Sequence, residues 1–174
     1  MLACHLGKQL IHARDLATAT GGEDGGDLLP DAAEHYRRAA WVTTPDLDHP
    51  VNDRSRSEEE ARAGHDALCA RTRQAVVDLE ALIGSGSLQD VVAIPWQGWR
   101  LHRADFLLTR TVEIVVHSDD LARSVGIPTP ILPRDTFGAV LRLLTDLAAE
   151  RHGQAELISA LSRRERMPAT ISAF

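Results

Sequence analysis

The stretch from Ala104 to Val125 has the sequence ADFLLTRTVEIVVHSDDLARSV and sets the expectation for the whole chain. Apolar residues recur in it every three or four positions, which is the period of an α-helix with one buried face. Gly126 follows at the position where helices commonly end in a left-handed residue, and Pro128 and Pro130 stand where no helix can continue. The stretch therefore predicts a long amphipathic helix with a defined end.

Two side chains with metal-binding chemistry share one face of this helix. At about 100° per residue, Glu113 and His117 lie one turn apart, with Asp120 and Phe106 on the same face. The flanking residues are apolar, and an unpaired carboxylate and imidazole among them would be costly. Carboxylate oxygen and imidazole nitrogen are both zinc ligands, so a divalent metal ion would remove that cost. The face therefore predicts two metal ligands, with a solvated or hydrogen-bonded Glu–His pair as the alternative.

A third ligand has to come from elsewhere in the chain, and its eight histidines are the candidates. His5 borders the apolar stripe of the first predicted helix, and His12 lies two turns further on, at the outer edge of the same stripe. The remaining histidines fall in polar surroundings or next to helix ends: His35, His49, His65, His102 and His152. Geometry therefore favours His5 first and His12 second, although a histidine at the edge of a stripe can also be purely structural.

Four further residues have reactive or charged side chains; two of them have two interpretations each, and the two cysteines have one. Asp120 either accepts a hydrogen bond from His117 or is an ordinary exposed aspartate. Arg110 either contacts an anionic substrate or pairs with Glu113. Cys4 and Cys69 are interpreted as inert packing thiols. No catalytic residue is predicted beyond possible support from Arg110 and Asp120.

The rest of the chain divides into further helices and one hairpin. Ser57 followed by Glu60 is a capping-box pattern that predicts a helix start. Aromatic residues make up only 4% of the chain, so Leu, Val, Ile and Ala must build the core, which favours packing of helix on helix. In chain order we predict helices over residues 1–19, 31–41, 57–83, 104–125, 133–151 and 155–163, and loops over 20–26 and 43–56. Residues 91–99 are predicted as a small hairpin, or as two short extended segments around a glycine turn. The predicted fold class is all-α.

Composition excludes several classes of protein. A length of 174 residues predicts a single domain with a normal core. The formal charge of −6, without a basic stripe, argues against nucleic-acid binding. No apolar run approaches the roughly 20 residues of a membrane span, and the N-terminus lacks the apolar region of a signal peptide. Two cysteines cannot form a disulfide framework or a metal knuckle, so we expect a reducing cytoplasm.

The start of the chain suggests that something covers the first helix. The helix predicted over residues 1–19 begins without an N-cap and carries an apolar stripe from its first turn. An uncovered stripe of this kind would expose apolar surface. We therefore expect either a further helix upstream of this sequence or a partner chain, including a second copy of this one, against residues 1–19.

Three segments resemble one known family. The sequence RTVEIVVHSDDLA at residues 110–122 resembles the Arg-x-x-Glu-x-x-x-His-x-x-Asp-Leu-Ala signature of mycothiol-dependent maleylpyruvate isomerases, which belong to the DinB-like metalloenzyme superfamily. The sequence LACHL at residues 2–6 resembles the second signature of that family, a helix that carries a His-Leu pair. The sequence ALSRRE at residues 160–165 is similar to the end of the family's metal-binding domain. The resemblance covers essentially the whole chain.

The resemblance implies a fold and a metal site. The fold would be a DinB-like up-down helical bundle with a small β-hairpin insertion, spanning residues 1–174 as one metal-binding domain and lacking the family's first helix. Zinc, or another divalent metal, would be held by His5, Glu113 and His117, with water completing the coordination sphere.

The resemblance also implies a thiol cofactor and a reaction. Mycothiol, or a similar low-molecular-weight thiol, would bind at the metal and react as a thiolate. Addition of the thiolate to a cis double bond, rotation and elimination would give the trans isomer of a small-molecule substrate, while relatives of this kind transfer the thiol instead. Two other readings stay open: a non-catalytic, metal-stabilised module that serves regulation or partner binding, and a structural helical protein without a metal.

Overall fold

The computed structural model describes residues 2–19, 26–44, 58 and 61–174 of the chain. This described part is mostly helical with one small sheet, which confirms the predicted helical class. The chain divides into two compact units, Met1–Ile131 and Leu132–Phe174. The capping-box residues Ser57 and Glu60, and most of the two predicted loops, lie outside the described residues.

The first unit carries three long helices and the sheet. Its described elements are α1 (Leu2–Thr18), β1 (Asp27–Leu28), α2 (Ala32–Arg38), α3 (Ala40–Thr43), α4 (His65–Ser85), β2 (Val91–Ile94), β3 (Trp99–His102) and α5 (Arg103–Val125). Helix α1 packs against both α4 and α5. Side chains from α1, at the start of this unit, can therefore meet side chains from α5, near its end.

Helix α5 matches the central sequence prediction. It begins at Arg103 and ends at Val125, where Gly126 takes a left-handed conformation with φ of 72°. The backbone N–H of Gly126 donates to the carbonyls of Ala122 and Arg123, so the last turn keeps its hydrogen bonds. The predicted helix and its glycine stop are confirmed.

The sheet contains the predicted hairpin and one additional strand. Strands β2 and β3 pair antiparallel, and Gly98, in the turn between them, has φ of 76°. Strand β1 pairs parallel with β3, with Asp27 opposite Trp99 and Leu28 opposite Arg100. The hairpin prediction is confirmed. The sequence did not predict β1, because two residues are too short to show a strand pattern.

The core of the first unit lies where the sheet meets the helices. Strand β2 packs against α1, and both strands of the hairpin pack against α5. The buried cluster consists of Ala17, Leu29, Leu88, Val92, Ile94, Leu101 and Phe106. Its members are aliphatic apart from one phenylalanine, as the low aromatic content predicts. This cluster supports the helix that carries Glu113 and His117.

Two predicted helices have different boundaries in the structure. The helix predicted over residues 57–83 is interrupted at residues 62–64: Glu58 and Ala61 are helical, and α4 begins at His65. Gly64, with φ of 87°, interrupts the chain there in a conformation that glycine adopts readily. The helix predicted over residues 31–41 is divided at Ala39, whose backbone is extended. Asp31 caps the first half, accepting the backbone N–H of Glu34 at 2.7 Å.

The second unit is helical and matches its prediction closely. It comprises α6 (Arg134–His152), α7 (Gln154–Ser162) and a short 3-10 turn (Arg164–Arg166). Helices α6 and α7 pack against each other, and Gly153 separates them.

Within the described residues, no helix has the length and apolar character that crossing a membrane requires.

The crossing of α1 and α4 yields a stability prediction. A Cβ at Gly7 would lie 2.8 Å from Thr72 Oγ1 and 2.9 Å from Leu68 Cδ1, so alanine would force these side chains apart. We expect Gly7→Ala to lower the free energy of unfolding by about 1–2 kcal/mol, although alanine favours a helix. Gly84→Ala in α4 is the matched control, because nothing lies within 4 Å of its Cβ position. It should raise that free energy by about 0.5–1 kcal/mol in urea unfolding. A stabilising Gly7→Ala would contradict the close crossing.

Candidate metal centre

Three side chains from two helices converge in the first unit. His5 comes from α1, and Glu113 and His117 come from α5. His5 Nε2 lies 3.2 Å from Glu113 Oε2, and His117 Nε2 lies 3.3 Å from the same oxygen. One ligand atom from each residue lies within 4.8 Å of the others. The structure therefore brings together all three residues that the family resemblance implies as ligands.

The position of each side chain follows from the helix geometry. Glu113 and His117 are four residues apart and stack on one face of α5. His5 reaches them because α1 packs against α5, and its ring meets the ring of His117 edge to face at 4.6 Å. The exposed fraction is 43% for the His5 side chain and 15% for the Glu113 side chain. The centre is therefore anchored on a mostly buried carboxylate and reachable from solvent on the His5 side.

Glu113 is ionised despite its burial. Burial acts to raise the pKa of its carboxyl group, but hydrogen bonds with His117 and His5, helped by the charge of Arg110, outweigh this and lower the pKa to about 2. The carboxylate thus carries its negative charge throughout the physiological range. It supplies the charge that a divalent cation would require.

His117 is oriented by Asp120 in a way that leaves its other nitrogen facing the carboxylate. Nδ1 of His117 lies 2.9 Å from Asp120 Oδ2, and an ionised carboxylate can only accept, so Nδ1–H is the donor. In the neutral ring, Nε2 then carries a lone pair that faces Glu113 Oε2. Two electron-rich atoms, His117 Nε2 and Glu113 Oε2, therefore face each other, and a cation is needed between them. A proton on Nε2 can serve as this cation. The hydrogen bond to Glu113 accordingly raises the pKa of His117; burial opposes this shift, and the hydrogen bond to Asp120 supports it.

A divalent metal ion satisfies the same arrangement. The donor set of two imidazole nitrogens and one carboxylate oxygen is the set that zinc uses in catalytic sites with an open position. The contact between Asp120 and His117 is the kind that fixes the tautomer of a metal-binding histidine. The residues present therefore fit a zinc-like ion, and the first of the two predicted roles of Asp120, as a hydrogen-bond acceptor from His117, is the one that the structure shows.

Gln9 and Arg110 form a buried pair next to the three converging residues. Arg110 Nη1 donates to Gln9 Oε1 at 2.8 Å, and the two residues are 9% and 3% exposed. The guanidinium also lies 5.7 Å from the centre of the Phe106 ring. Arg110 thus donates to Gln9 instead of forming the direct pair with Glu113 that the helix spacing suggested. Burial lowers the pKa of Arg110, and the charge of Glu113 opposes this shift.

The other candidate histidines lie elsewhere. The ring of His12 packs at 5.0 Å against Trp96 of the hairpin turn, so between the two third-ligand candidates His5 is the one beside Glu113. Among the remaining histidines other than His35, His65 and His102 are exposed, His152 is partly exposed, and His49 lies outside the described residues. Cys4 is buried, as its interpretation as a packing thiol predicts. Cys69 is partly exposed, with Sγ 3.4 Å from His65 Nε2.

His35 is a buried residue that the sequence did not single out. The expectation of polar surroundings for His35 is wrong, because α2 packs against α5 and leaves the ring only 3% exposed. Trp99 Nε1–H donates to His35 Nδ1 at 3.1 Å. Burial, assisted by the charge of Arg110 and opposed by that of Glu113, lowers the pKa of His35 to about 4. The local sequence carries no signal for this, because the helix has only seven residues and Trp99 is distant in the chain.

Comparison of the chain with protein-family models, with curated proteins and with solved structures gave no match. The resemblance to mycothiol-dependent maleylpyruvate isomerases therefore depends on the three quoted segments alone. The function has to follow from the geometry and chemistry of the site.

The buried His35 predicts a dependence of stability on pH. Its pKa is about 4 in the folded protein against an ordinary value of 6.5, so the unfolded chain binds a proton that the folded protein excludes between these values. The stabilising contribution of the neutral ring is complete above pH 6.5 and is lost as the pH falls towards 4. In metal-free protein we expect wild type to lose about 3 kcal/mol over this window relative to His35→Gln.

The comparison with His35→Gln separates this effect from the other titrating groups. Glu113 and His117 are the same in both proteins, so their contributions cancel in the difference between the two unfolding free energies. Urea unfolding followed by circular dichroism, at about half-unit steps of pH, gives the two curves. Parallel curves would contradict the burial of an uncharged His35.

Proposed function

We propose that this protein is a divalent-metal-binding enzyme that uses a low-molecular-weight thiol, with zinc held by His5, Glu113 and His117. The observation that carries the proposal is the convergence of two imidazole nitrogens on one mostly buried carboxylate, at 3.2 and 3.3 Å from the same oxygen. Three protein ligands leave one exchangeable position in a tetrahedral site, which is typical of catalytic zinc.

The chain's own residues would prepare the centre for this chemistry. A divalent metal ion at this site would lower the pKa of a bound thiol and so make a thiolate available at neutral pH. Glu113 contributes the negative charge that holds the ion, and Asp120 keeps the ring of His117 turned towards it. The exposed side of His5 leaves room for a small molecule to approach from solvent.

The reaction class follows from the resemblance at residues 110–122. The proposal is a maleylpyruvate isomerase-like cis–trans isomerisation, or a thiol transfer, with mycothiol or a similar thiol as cofactor. Its support in the structure comes from the acidic and histidine positions of that signature: His117 contacts Glu113 through Nε2 and Asp120 through Nδ1. The proposal includes a DinB-like up-down bundle, a single metal-binding domain over residues 1–174, and a cytoplasmic location. Its partners are a small-molecule substrate and the thiol.

One observation favours an alternative. The proposed ligands come from two helices, α1 and α5, so a bound metal ion would connect them and stabilise their packing. A non-catalytic, metal-stabilised module for regulation or partner binding would need no more than this. The response of the metal centre to thiols distinguishes the two functions.

The first test of the proposal is the metal content. We expect purified protein to carry about one zinc-like ion per chain, because three ligands converge without rearrangement. His117→Ala should reduce metal affinity sharply, since one of three protein ligands is lost. Elemental analysis after gentle purification, followed by reconstitution and competition with a chelator, gives both quantities.

His12→Ala is the matched control for the third ligand, because it removes a histidine from the same helix without touching the cluster. It should leave metal content unchanged, whereas His5→Ala should reduce it. If His12→Ala abolished metal binding and His5→Ala did not, the assignment of His5 would be wrong. Failure of wild type to take up metal after reconstitution would remove the enzyme proposal altogether.

The second test is the response of a cobalt-substituted protein to thiols. Thiolate bound to cobalt gives a strong charge-transfer absorption in the near ultraviolet. We expect this band when mycothiol or a small thiol analogue is added, because the fourth position accepts sulfur. The band should weaken greatly in Glu113→Ala, which loses a ligand. It should persist in Asp120→Asn, whose side-chain oxygen can still accept from His117.

Absence of any spectral change on fully metallated protein would make the thiol-dependent mechanism wrong. The same cobalt protein then tests the alternative directly, since a metal that only connects α1 and α5 should raise the unfolding temperature without responding to thiols. Both functions predict that bound metal raises the unfolding temperature, but only the enzyme predicts that thiols change the cobalt spectrum.

A further inference from the structure

Arg110 is a buried cation beside the proposed metal centre. It is 9% exposed and lies one turn before Glu113 on α5. Its hydrogen bonds go to neutral groups, from Nη1 to Gln9 Oε1 at 2.8 Å and from Nε to Thr109 Oγ1 at 3.3 Å. Among the ion pairs between residues that the structure describes, none includes Arg110. A buried guanidinium without a carboxylate in direct contact is unusual, because the cost of burying its charge is then offset through space, here by the charge of Glu113, and not by an ion pair.

Arg110 determines which way the Gln9 side chain faces. A guanidinium has only donors, so the amide must turn Oε1 towards Arg110. The NH₂ group then points the other way, where it donates to the carbonyl oxygen of His5 at 3.1 Å and lies 3.2 Å from His5 Nε2. This nitrogen is the atom that His5 would offer to a metal ion. The Gln9 amide therefore presents a fixed N–H donor next to the proposed coordination site.

The charges of the site leave a place for an anion. A divalent ion would add two positive charges next to Arg110, whereas Glu113 is the only carboxylate among the three proposed ligands. Asp120 is further from the centre and half exposed. Positive charge in a partly buried site favours an anionic ligand, and an N–H donor that is already oriented costs no rearrangement when the anion arrives. The donor is strengthened because Arg110 polarises the amide from its oxygen side.

We infer that Gln9 and Arg110 select an anion for the open position of the metal centre. Gln9 donates its side-chain N–H to the bound anion, and Arg110 is a positioning residue that acts through Gln9 and by its charge. The inference rests on the proposed metal function, which it deepens by assigning the residues that favour an anionic ligand over a neutral one.

Azide binding to the cobalt-substituted protein tests the inference. Azide is a small anion that changes the visible spectrum of cobalt when it takes an open position, so a titration gives its Kd. We expect Gln9→Met and Arg110→Met each to weaken azide binding about tenfold, a change of about 1.4 kcal/mol. Cobalt affinity should change by less than about threefold, because neither residue is a proposed ligand. Arg110→Lys keeps a charge and a donor and should bind azide nearly as wild type does.

Two surface variants serve as matched controls. Arg123→Met removes an exposed guanidinium from the same helix, and Gln74→Met removes a helical glutamine that donates to Asp78. Both should bind azide as wild type does. The double variant Gln9→Met/Arg110→Met should be no worse than about twofold weaker than Gln9→Met alone, since the arginine acts mainly through the glutamine. Circular dichroism and cobalt stoichiometry identify any variant that fails to fold.

The outcomes separate the inference from the proposed function. If cobalt binds but azide affinity is unchanged in both Gln9→Met and Arg110→Met, the inference is wrong and the metal function stands. If cobalt affinity falls as much as azide affinity, Gln9 acts on the His5 ligand and not on the anion, which also overturns it. If wild type takes up no metal, the proposed function fails, the inference falls with it, and this result is obtained before azide is added.

Discussion

The charged side chains on the buried side of α5 are the constraint on which the rest of the structure depends. Glu113 and Arg110 lie one turn apart, and neither can stay in the interior without partners. The direct salt bridge between them does not form. Each instead takes a partner from α1, Glu113 from His5, in addition to His117 on α5, and Arg110 from Gln9. The packing of α1 on α5 is therefore specified by polar contacts as well as by apolar burial.

This arrangement concentrates the chemistry of the protein at one helix crossing. The hairpin and the aliphatic cluster beneath it hold α5 in place, and Gly7 lets α1 approach α4 closely. With α1 held on both sides, His5 and Gln9, one turn apart on the same helix, both reach α5. The first can serve as a metal ligand and the second as a donor beside it. A metal centre and its proposed anion selectivity thus depend on the same crossing.

The sequence predicted local structure well where the signal was local. The period of the apolar residues and Gly126 predicted the extent of α5, and two short segments around a glycine turn at Gly98 predicted the hairpin. The predictions that differ from the structure involve backbone conformations with weak signals. A single glycine, Gly64, interrupted a predicted helix near its start, and Ala39 interrupted another although nothing in its neighbours marks a break. Strand β1 exists only because β3 is there to pair with it.

The division between sequence and tertiary structure is sharpest at the site. Glu113, His117 and Asp120 could be placed on one face from the sequence alone, because residues three and four apart on a helix are neighbours by backbone geometry. The sequence by itself could only rank His5 ahead of His12, since both lie near the same stripe, and it could not show which of them reaches Glu113.

Only the tertiary structure decided the contacts that complete the site. His5 meets Glu113 across 108 residues, and Gln9 meets Arg110 across 101. Trp99 reaches His35 across 64 residues, which turns an apparently polar histidine into a buried neutral one. Such contacts depend on how whole helices pack, and helix packing depends on the sum of many side chains along each face. The periodicity of one segment determines which residues face inward, but not which residue of another segment they meet.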